Sequence, residues 1–210
     1  MMKRTLLILL LLLVAAGVPL ARAAAGPRVT ALGILGALRR SMLAKPAVEA
    51  QFTINGVDGP VQGSAIMAGT AFAFTTPQVD VWFDGRTQWV LLHSTGEVSI
   101  TEPTADELAT TNPFVVLSAY DTHYTCRRLP DSNGRYRVEL IPRDADSGIS
   151  AITVTTDNTW KWPQAIVIDL DGGQKIEMTI DRIAGRAKPA DTAFRYDPRL
   201  HPASEIIDLR

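Results

Sequence analysis

Directly after Pro46 the chain alternates, with Val48, Ala50, Phe52 and Ile54 apolar and Glu49, Gln51 and Thr53 polar between them. A period of two places one set on each side of a strand, so this segment has a dry face and a wet face. The rhythm continues. Asn55-Gly56 and Asp58-Gly59 mark a turn, and β-prone runs follow at Val61–Ala68, Thr70–Thr76, Val79–Asp84, Arg86–Leu92 and Glu97–Thr101, with Asp84-Gly85 and Thr95-Gly96 as punctuation. This is the pattern of a meandering antiparallel sheet.

Helical signals are few. From Val29 to Ala44, Leu32, Leu35, Leu38 and Met42 recur at helical spacing, and Arg39, Arg40 and Lys45 gather at the negative end of the dipole. Two short helices are expected mid-chain, because Thr104-Ala105-Asp106-Glu107 is a capping box and Asn112-Pro113 is an N-cap followed by proline. The second of these carries Phe114, Val115, Val116, Leu117 and Tyr120 with almost no charge, so it must press on something apolar. Strands resume at His123–Leu129, Arg135–Ile141, Ile149–Thr156, Lys161–Leu170, Lys175–Ile183 and Thr192–Tyr196, with turns at Asn133-Gly134, Asp157-Asn158 and Asp171-Gly172. The expectation is a mainly β chain with short helices (α+β), of about eleven strands and three helices. It shows no repeat period and no dividing linker. About thirty helical residues cannot cover so large a flat sheet, so the sheet should curl into a barrel or half-barrel with an apolar hollow.

The first 23 residues stand apart in composition. A basic start, an uncharged leucine-rich run and Ala21-Arg22-Ala23 have the form of an export signal, which predicts a leader over 1–23, cleavage near Ala23/Ala24, one domain over 24–210 and a periplasmic location. The run is shorter than the roughly 20 residues a membrane span needs, and Pro19 interrupts it. Without Lys3, Arg4 and Arg22 the balance is 18 basic against 22 acidic residues, a net of −4, which excludes a nucleic-acid partner. The one cysteine, Cys126, has no internal disulfide partner and lies far from the cleavage point, where a lipid-modified cysteine would stand.

Signals for chemistry are absent. His93, His123 and His201 lie far apart without ligands at metal spacing, and no G-x-S-x-G, H-E-x-x-H or phosphate loop occurs. Asp144-Ala145-Asp146-Ser147-Gly148 and Asp169-Leu170-Asp171-Gly172 lack the full calcium ligand set and fall where hairpin turns are expected. Glu205 and Asp208 would work as an acid and base pair only if the tail folded over a cleft, and salt links suit them better. No enzyme, metal or cofactor is expected. The aromatics Phe52, Phe72, Phe74, Trp82, Trp89 and Phe114 concentrate in the first half, where they either pack the core or line a cavity for an apolar ligand.

In order and spacing, Asp84-Gly85-Arg86-Thr87-Gln88-Trp89, Glu97 to Thr104, Asn112-Pro113-Phe114 and the tail Glu205 to Arg210 resemble the LolA family, periplasmic carriers of outer-membrane lipoproteins. The D-G-[KR]-T-x-W element is the most specific of these. The resemblance implies a half-open antiparallel β-barrel of about eleven strands with an α-helical lid, enclosing an apolar cavity for lipoprotein acyl chains. By position it assigns Leu38, Met42, Phe72, Phe74, Phe114 and Leu117 to that cavity; Phe52 joins them as a candidate lining aromatic, and Trp89, the motif tryptophan, is either a further lining residue or structural packing. It also implies a monomer whose partners are acylated lipoproteins, an inner-membrane exporter and, where one exists, an outer-membrane receptor. One departure stands out: Ala68 sits where carriers of the best-known branch have an arginine that latches the lid. A lipid- or lipoprotein-sensing regulatory module of the same architecture is the alternative. An enzyme using His93, His123 or Glu205 is the second.

Overall fold

Thr30 opens the first element. Its backbone is extended (φ −95°, ψ 157°) and its Oγ1 accepts the Gly33 amide proton at 3.0 Å, which satisfies one of the free N–H groups at the start of α1 (Ala31–Leu43). Ile34, Leu35 and Leu38 are fully buried on one face of this helix. The expected stripe is corrected at one position: Leu32 points away, 55% exposed, and Ile34 takes its place. Both choices fit helical spacing; the position of the sheet beneath decides between them.

The structure is a computed structural model that describes residues 29–56, 59–104, 107–108 and 116–210. The expected leader and the Asn112-Pro113-Phe114 segment lie outside the described residues. Strands β1 (Ala47–Gly56), β2 (Gly59–Ala68), β3 (Ala71–Thr75), β4 (Val79–Phe83), β5 (Gln88–Leu92) and β6 (Glu97–Thr101) form one meander. After the helix α2 (Val116–His123), a second meander runs through β7 (Tyr124–Ser132), β8 (Arg135–Pro142), β9 (Ile149–Thr156), β10 (Pro163–Leu170) and β11 (Lys175–Arg186). A short 3₁₀ turn (Asp191–Phe194) and β12 (Glu205–Asp208) follow.

These twelve strands belong to one sheet in the order β12-β6-β5-β4-β3-β2-β1-β11-β10-β9-β8-β7, so β1 and β11 join the two meanders at its centre. The sheet is curled and not closed, with β12 and β7 as its edges. A bulge bends it in the middle: Gln51 pairs with Arg182 and Phe52 with Ile180, which leaves Asp181 without a partner in the ladder. The Thr53 hydroxyl donates to Asp181 Oδ2 at 2.7 Å across a sequence separation of 128 residues.

The strand expected at Thr192–Tyr196 is not one. Residues Asp191–Phe194 form the 3₁₀ turn, and the twelfth strand comes from the tail, where β12 pairs parallel with β6 while the other ladders are antiparallel. Strand formation needs a free sheet edge, and the 3₁₀ turn lies against β3 and β4, where every edge is taken. Only side chains can dock there. Phe194, 1% exposed, packs with Ala47, Ala68, Ile66, Ala71 and Ala73, while Tyr196 and His201 lie against Trp82 with ring centroids 5.7 and 5.9 Å away.

Alternation sorts the sheet's two faces. Val48, Ala50, Phe52, Ala65, Met67, Phe72, Phe74, Val81 and Phe83 join Val138, Leu140, Ile152, Val154, Ile166, Ile168, Met178 and Ile180 in one buried cluster beneath α1 and α2. Gly63 makes room within it. A Cβ there would stand 2.4 Å from the Phe52 ring and 2.8 Å from the Thr75 carbonyl oxygen. Gly63→Ala should therefore destabilise the fold by about 2 kcal/mol, because a buried ring and a strand backbone must both yield. Urea denaturation would show this as a lower midpoint at unchanged slope; an unchanged midpoint would mean that the Phe52 ring moves freely.

Candidate functional site

The concave face of the sheet is lined by aromatic pairs that strand register creates. Ala65 pairs with Phe74 and Gly63 with Phe52 on adjacent strands, and the Phe52 and Phe74 rings stack 4.9 Å apart at 16°. Phe72 and Phe83 are direct cross-strand partners, with ring centroids at 5.3 Å. Leu35 and Leu38 of α1 and Val116, Leu117 and Tyr120 of α2 close over the same cluster, and Met42 is half-buried against it. The structure thus brings together Leu38, Met42, Phe52, Phe72, Phe74 and Leu117.

Two of the expected residues are not among them. Phe114 lies outside the described residues. Trp89 pairs with Trp82, and Trp82 with Ala73, the row that alternates with Phe72, Phe74, Val81 and Phe83, so Trp89 faces the opposite side of the sheet. The correction has a simple cause: side chains in a strand have period two, and family position alone did not reveal which parity is inward. Val90, its neighbour, takes the inward place.

The remaining motif residues build frame. Asp84 Oδ1 accepts the amides of Arg86 and Thr87 at 3.1 and 3.0 Å, which folds the β4–β5 hairpin, and Asp84 Oδ2 takes the Arg195 guanidinium at 3.0 Å. Arg86 Nε donates to Glu102 Oε1 at 3.0 Å, tying that hairpin to the segment after β6. The capping box is present as expected: Thr104 N donates to Glu107 Oε2 at 2.7 Å, and Glu107 N donates to Thr104 Oγ1 at 3.4 Å.

Ala68 lies on the outer face against Phe194, so a side chain at that position turns away from the helices. A polar contact between the two helices comes from another residue. Arg39 of α1 donates to Asp121 Oδ2 of α2 at 3.2 Å, and its guanidinium sits 4.9 Å from the Tyr120 ring centre. Sequence reading placed Arg39 with the dipole cations and missed this role, because its partner is 82 residues away.

The candidate catalytic groups are dispersed or engaged. His123 and Glu205 are exposed, on α2 and on β12 at opposite ends of the sheet. Asp208 is held by a forked contact from Arg210, which lowers its carboxyl to about 2. Cys126 is half-buried, and burial raises its thiol above the ordinary value. Among the described residues no group of His, Cys, Asp and Glu is arranged to hold a metal. A recess of about 630 Å³ crosses β11, β1, β2 and β3, lined by Gln51, Gln62, Ser64, Thr75, Thr76, Pro77 and Asp181 with Phe52 and Gly63. Most of these residues are polar, which sets the recess apart from the apolar concave face.

His93 stands between the Pro77 carbonyl (Nδ1 at 3.0 Å) and Asp80 Oδ2 (Nε2 at 2.9 Å), an arrangement that suits a doubly protonated ring. The hydrogen bond to Asp80, then that to Pro77, raises its pKa above 6.5. The stabilisation is therefore complete below the unfolded-state value and is lost as pH rises through the raised folded value. The urea midpoint should fall from about pH 6.5 upward, and His93→Gln should remove that slope. A slope that survives the substitution would assign the effect to another group.

These features define an open β-barrel-like fold with a helical cover over an apolar face. The sequence profile described as outer membrane lipoprotein carrier protein LolA matches residues 39–174. The chain belongs to this family. Comparison with curated proteins yields no match. Among solved structures, an uncharacterized conserved protein from Thermus thermophilus is similar at TM-score 0.56 and 9% identity, over 83% of this chain and 96% of that one. A putative outer membrane lipoprotein-sorting protein domain from Vibrio parahaemolyticus (0.47, 13%, 79% and 96%) and a LolA superfamily protein from Nitrosomonas europaea (0.44, 13%, 81% and 99%) are further from it. At 9% identity the first of these shows a shared fold alone, and the scores below 0.5 carry no further weight.

Proposed function

We propose that this chain is a periplasmic carrier that shields lipoprotein acyl chains against its concave face and moves them from the inner to the outer membrane. The observation that carries this reading is the cover: α1 and α2 lie on an apolar sheet face and, among the described residues, are joined to each other by one exposed ion pair and a ring contact. Exposed ion pairs contribute about 0 to 1 kcal/mol, so this cover rests mainly on apolar contact, which an acyl chain can replace. An acyl chain of about 14 methylenes costs on the order of 11 kcal/mol in water, which is why transit requires a shield. Inside, the chain would take the place of Leu35, Leu38 and Leu117 against the same phenylalanines, an exchange of apolar contact for apolar contact. Such an exchange is close to balanced, which suits a protein that must give its cargo up.

On this reading the cavity residues are Leu38, Met42, Phe52, Phe72, Phe74 and Leu117, with Phe114 expected beside them, and the first 23 residues are the export leader. Among the described residues no helix is long and apolar enough to cross a membrane.

Purified protein should release a lipoprotein from inner-membrane vesicles carrying the exporter and should bind a fluorescent acyl probe. Met42→Glu, at the half-buried rim, should reduce probe affinity at least about tenfold, since a carboxylate must be desolvated when the chain enters, with far-UV circular dichroism unchanged. Probe binding without release would favour the lipid-sensing module. Unaltered affinity in Met42→Glu would overturn the site assignment.

A further inference from the structure

Beyond its apolar wall, the concave face ends at the β9–β10 turn in a group that packing alone does not account for. Trp160 has φ 58°, the left-handed region, which a bulky side chain rarely adopts. The turn is built to hold it there. Asp157 Oδ1 accepts the amides of Thr159 and Lys161 at 3.2 and 3.0 Å, Asp157 Oδ2 accepts the Thr159 hydroxyl at 2.7 Å, and Thr156 behind it is fully buried.

This conformation delivers the indole to the edge of the core cluster, where its ring meets Tyr136 edge-on at 5.3 Å. Tyr136 shares its side of β8 with Val138 and Leu140, so it belongs to the inward face. Yet Trp160 Nε1 is buried and has no hydrogen-bond partner among the described residues. An indole N–H can only donate, and buried donors are almost always satisfied. A strained backbone that places an unsatisfied donor beside an apolar wall points to a ligand that brings an acceptor.

The surroundings restrict that acceptor. Arg128 lies 5.0 Å from the Tyr136 ring centre, but its Nη2 is bound to both Asp131 oxygens at 2.8 and 2.7 Å and its Nη1 to the Val29 carbonyl at 3.1 Å. A carboxylate ligand would find that guanidinium already engaged, whereas a neutral carbonyl needs only the one N–H. We infer that Trp160 is a polar anchor of the lipid site, its Nε1–H donating to the carbonyl of an acyl ester or amide whose chain lies along the concave face. The inference rests on the acyl-binding reading above. It adds the chemical group recognised and a fixed point for the chain's polar end.

The test uses full-length mature protein and four palmitoyl-length ligands that compete with a fluorescent acyl probe: an O-acyl ester, an N-acyl amide, the matching alkyl ether and the free fatty acid at neutral pH. The wild type should prefer ester or amide over ether by about 5-fold, the worth of one neutral hydrogen bond. The ester and amide arms assign which carbonyl is taken. Trp160→Phe keeps an aromatic ring and removes the donor; it should abolish the preference and leave ether affinity unchanged. As a measurement independent of how the variant folds, the wild type is also followed by indole N–H NMR. One of its four tryptophan signals, absent from Trp160→Phe, should move downfield with ester or amide and stay with ether. Equal affinity for ester, amide and ether in the wild type, a preference retained in Trp160→Phe, or the strongest binding by the free acid would overturn the anchor. If no ligand displaces the probe and the probe itself fails to bind, the acyl-binding reading fails, and the anchor fails with it.

Discussion

The pairing of β1 with β11 is the contact on which the rest depends. Each meander folds from short-range hairpins, but only this ladder, from Ala47 opposite Arg186 to Asn55 opposite Glu177, makes them one sheet. It joins distant parts of the chain, so it carries the largest loop-closure cost of any ladder in the sheet. It also contains the Asp181 bulge, which bends the sheet at its middle. Curvature and continuity arise from the same ladder, and without either there is no concave face to cover.

The two faces of that sheet do different work. Inside, phenylalanines and aliphatic side chains offer contact with no direction. Outside, the chain after β11 crosses back over β3 and β4, seats Phe194 among small residues and ends as β12 on the edge of β6. The crossing covers one otherwise exposed sheet edge, a common hazard for an open sheet. The residues that mark the family in sequence belong to this frame: Asp84 folds its hairpin and receives Arg195, and Arg86 reaches Glu102. Family motifs here record how the sheet is held, and the concave face is written in less specific apolar residues.

Among the described residues, the cover over the concave face is held chiefly by apolar contact. Arg39 to Asp121 is its one ion pair between the described helices, half-exposed on both sides. On the proposed reading, a helix packed on phenylalanines and an acyl chain packed on the same rings would be similar in free energy per unit area, so small differences would decide which is present. That balance would be lost in a core with directional hydrogen bonds. Trp160 is the exception, a single donor at the end of an otherwise undirected surface.

Much of this was legible in the chain. Period-two alternation with Asn-Gly, Asp-Gly and Thr-Gly turns determined the strands, helical spacing determined α1, and the capping box at Thr104 appeared as written, because each of these depends on neighbours a few residues away. What the sequence left open depended on distant partners. Whether Leu32 or Ile34 faced inward, whether Trp89 or Val90 did, whether residues 192–196 found an edge, and which acid met Arg39 were all decided by where the sheet lay in space. Propensity and period can specify an element and its two faces. Only the assembled sheet, joined at β1 and β11, could determine which face became the inside.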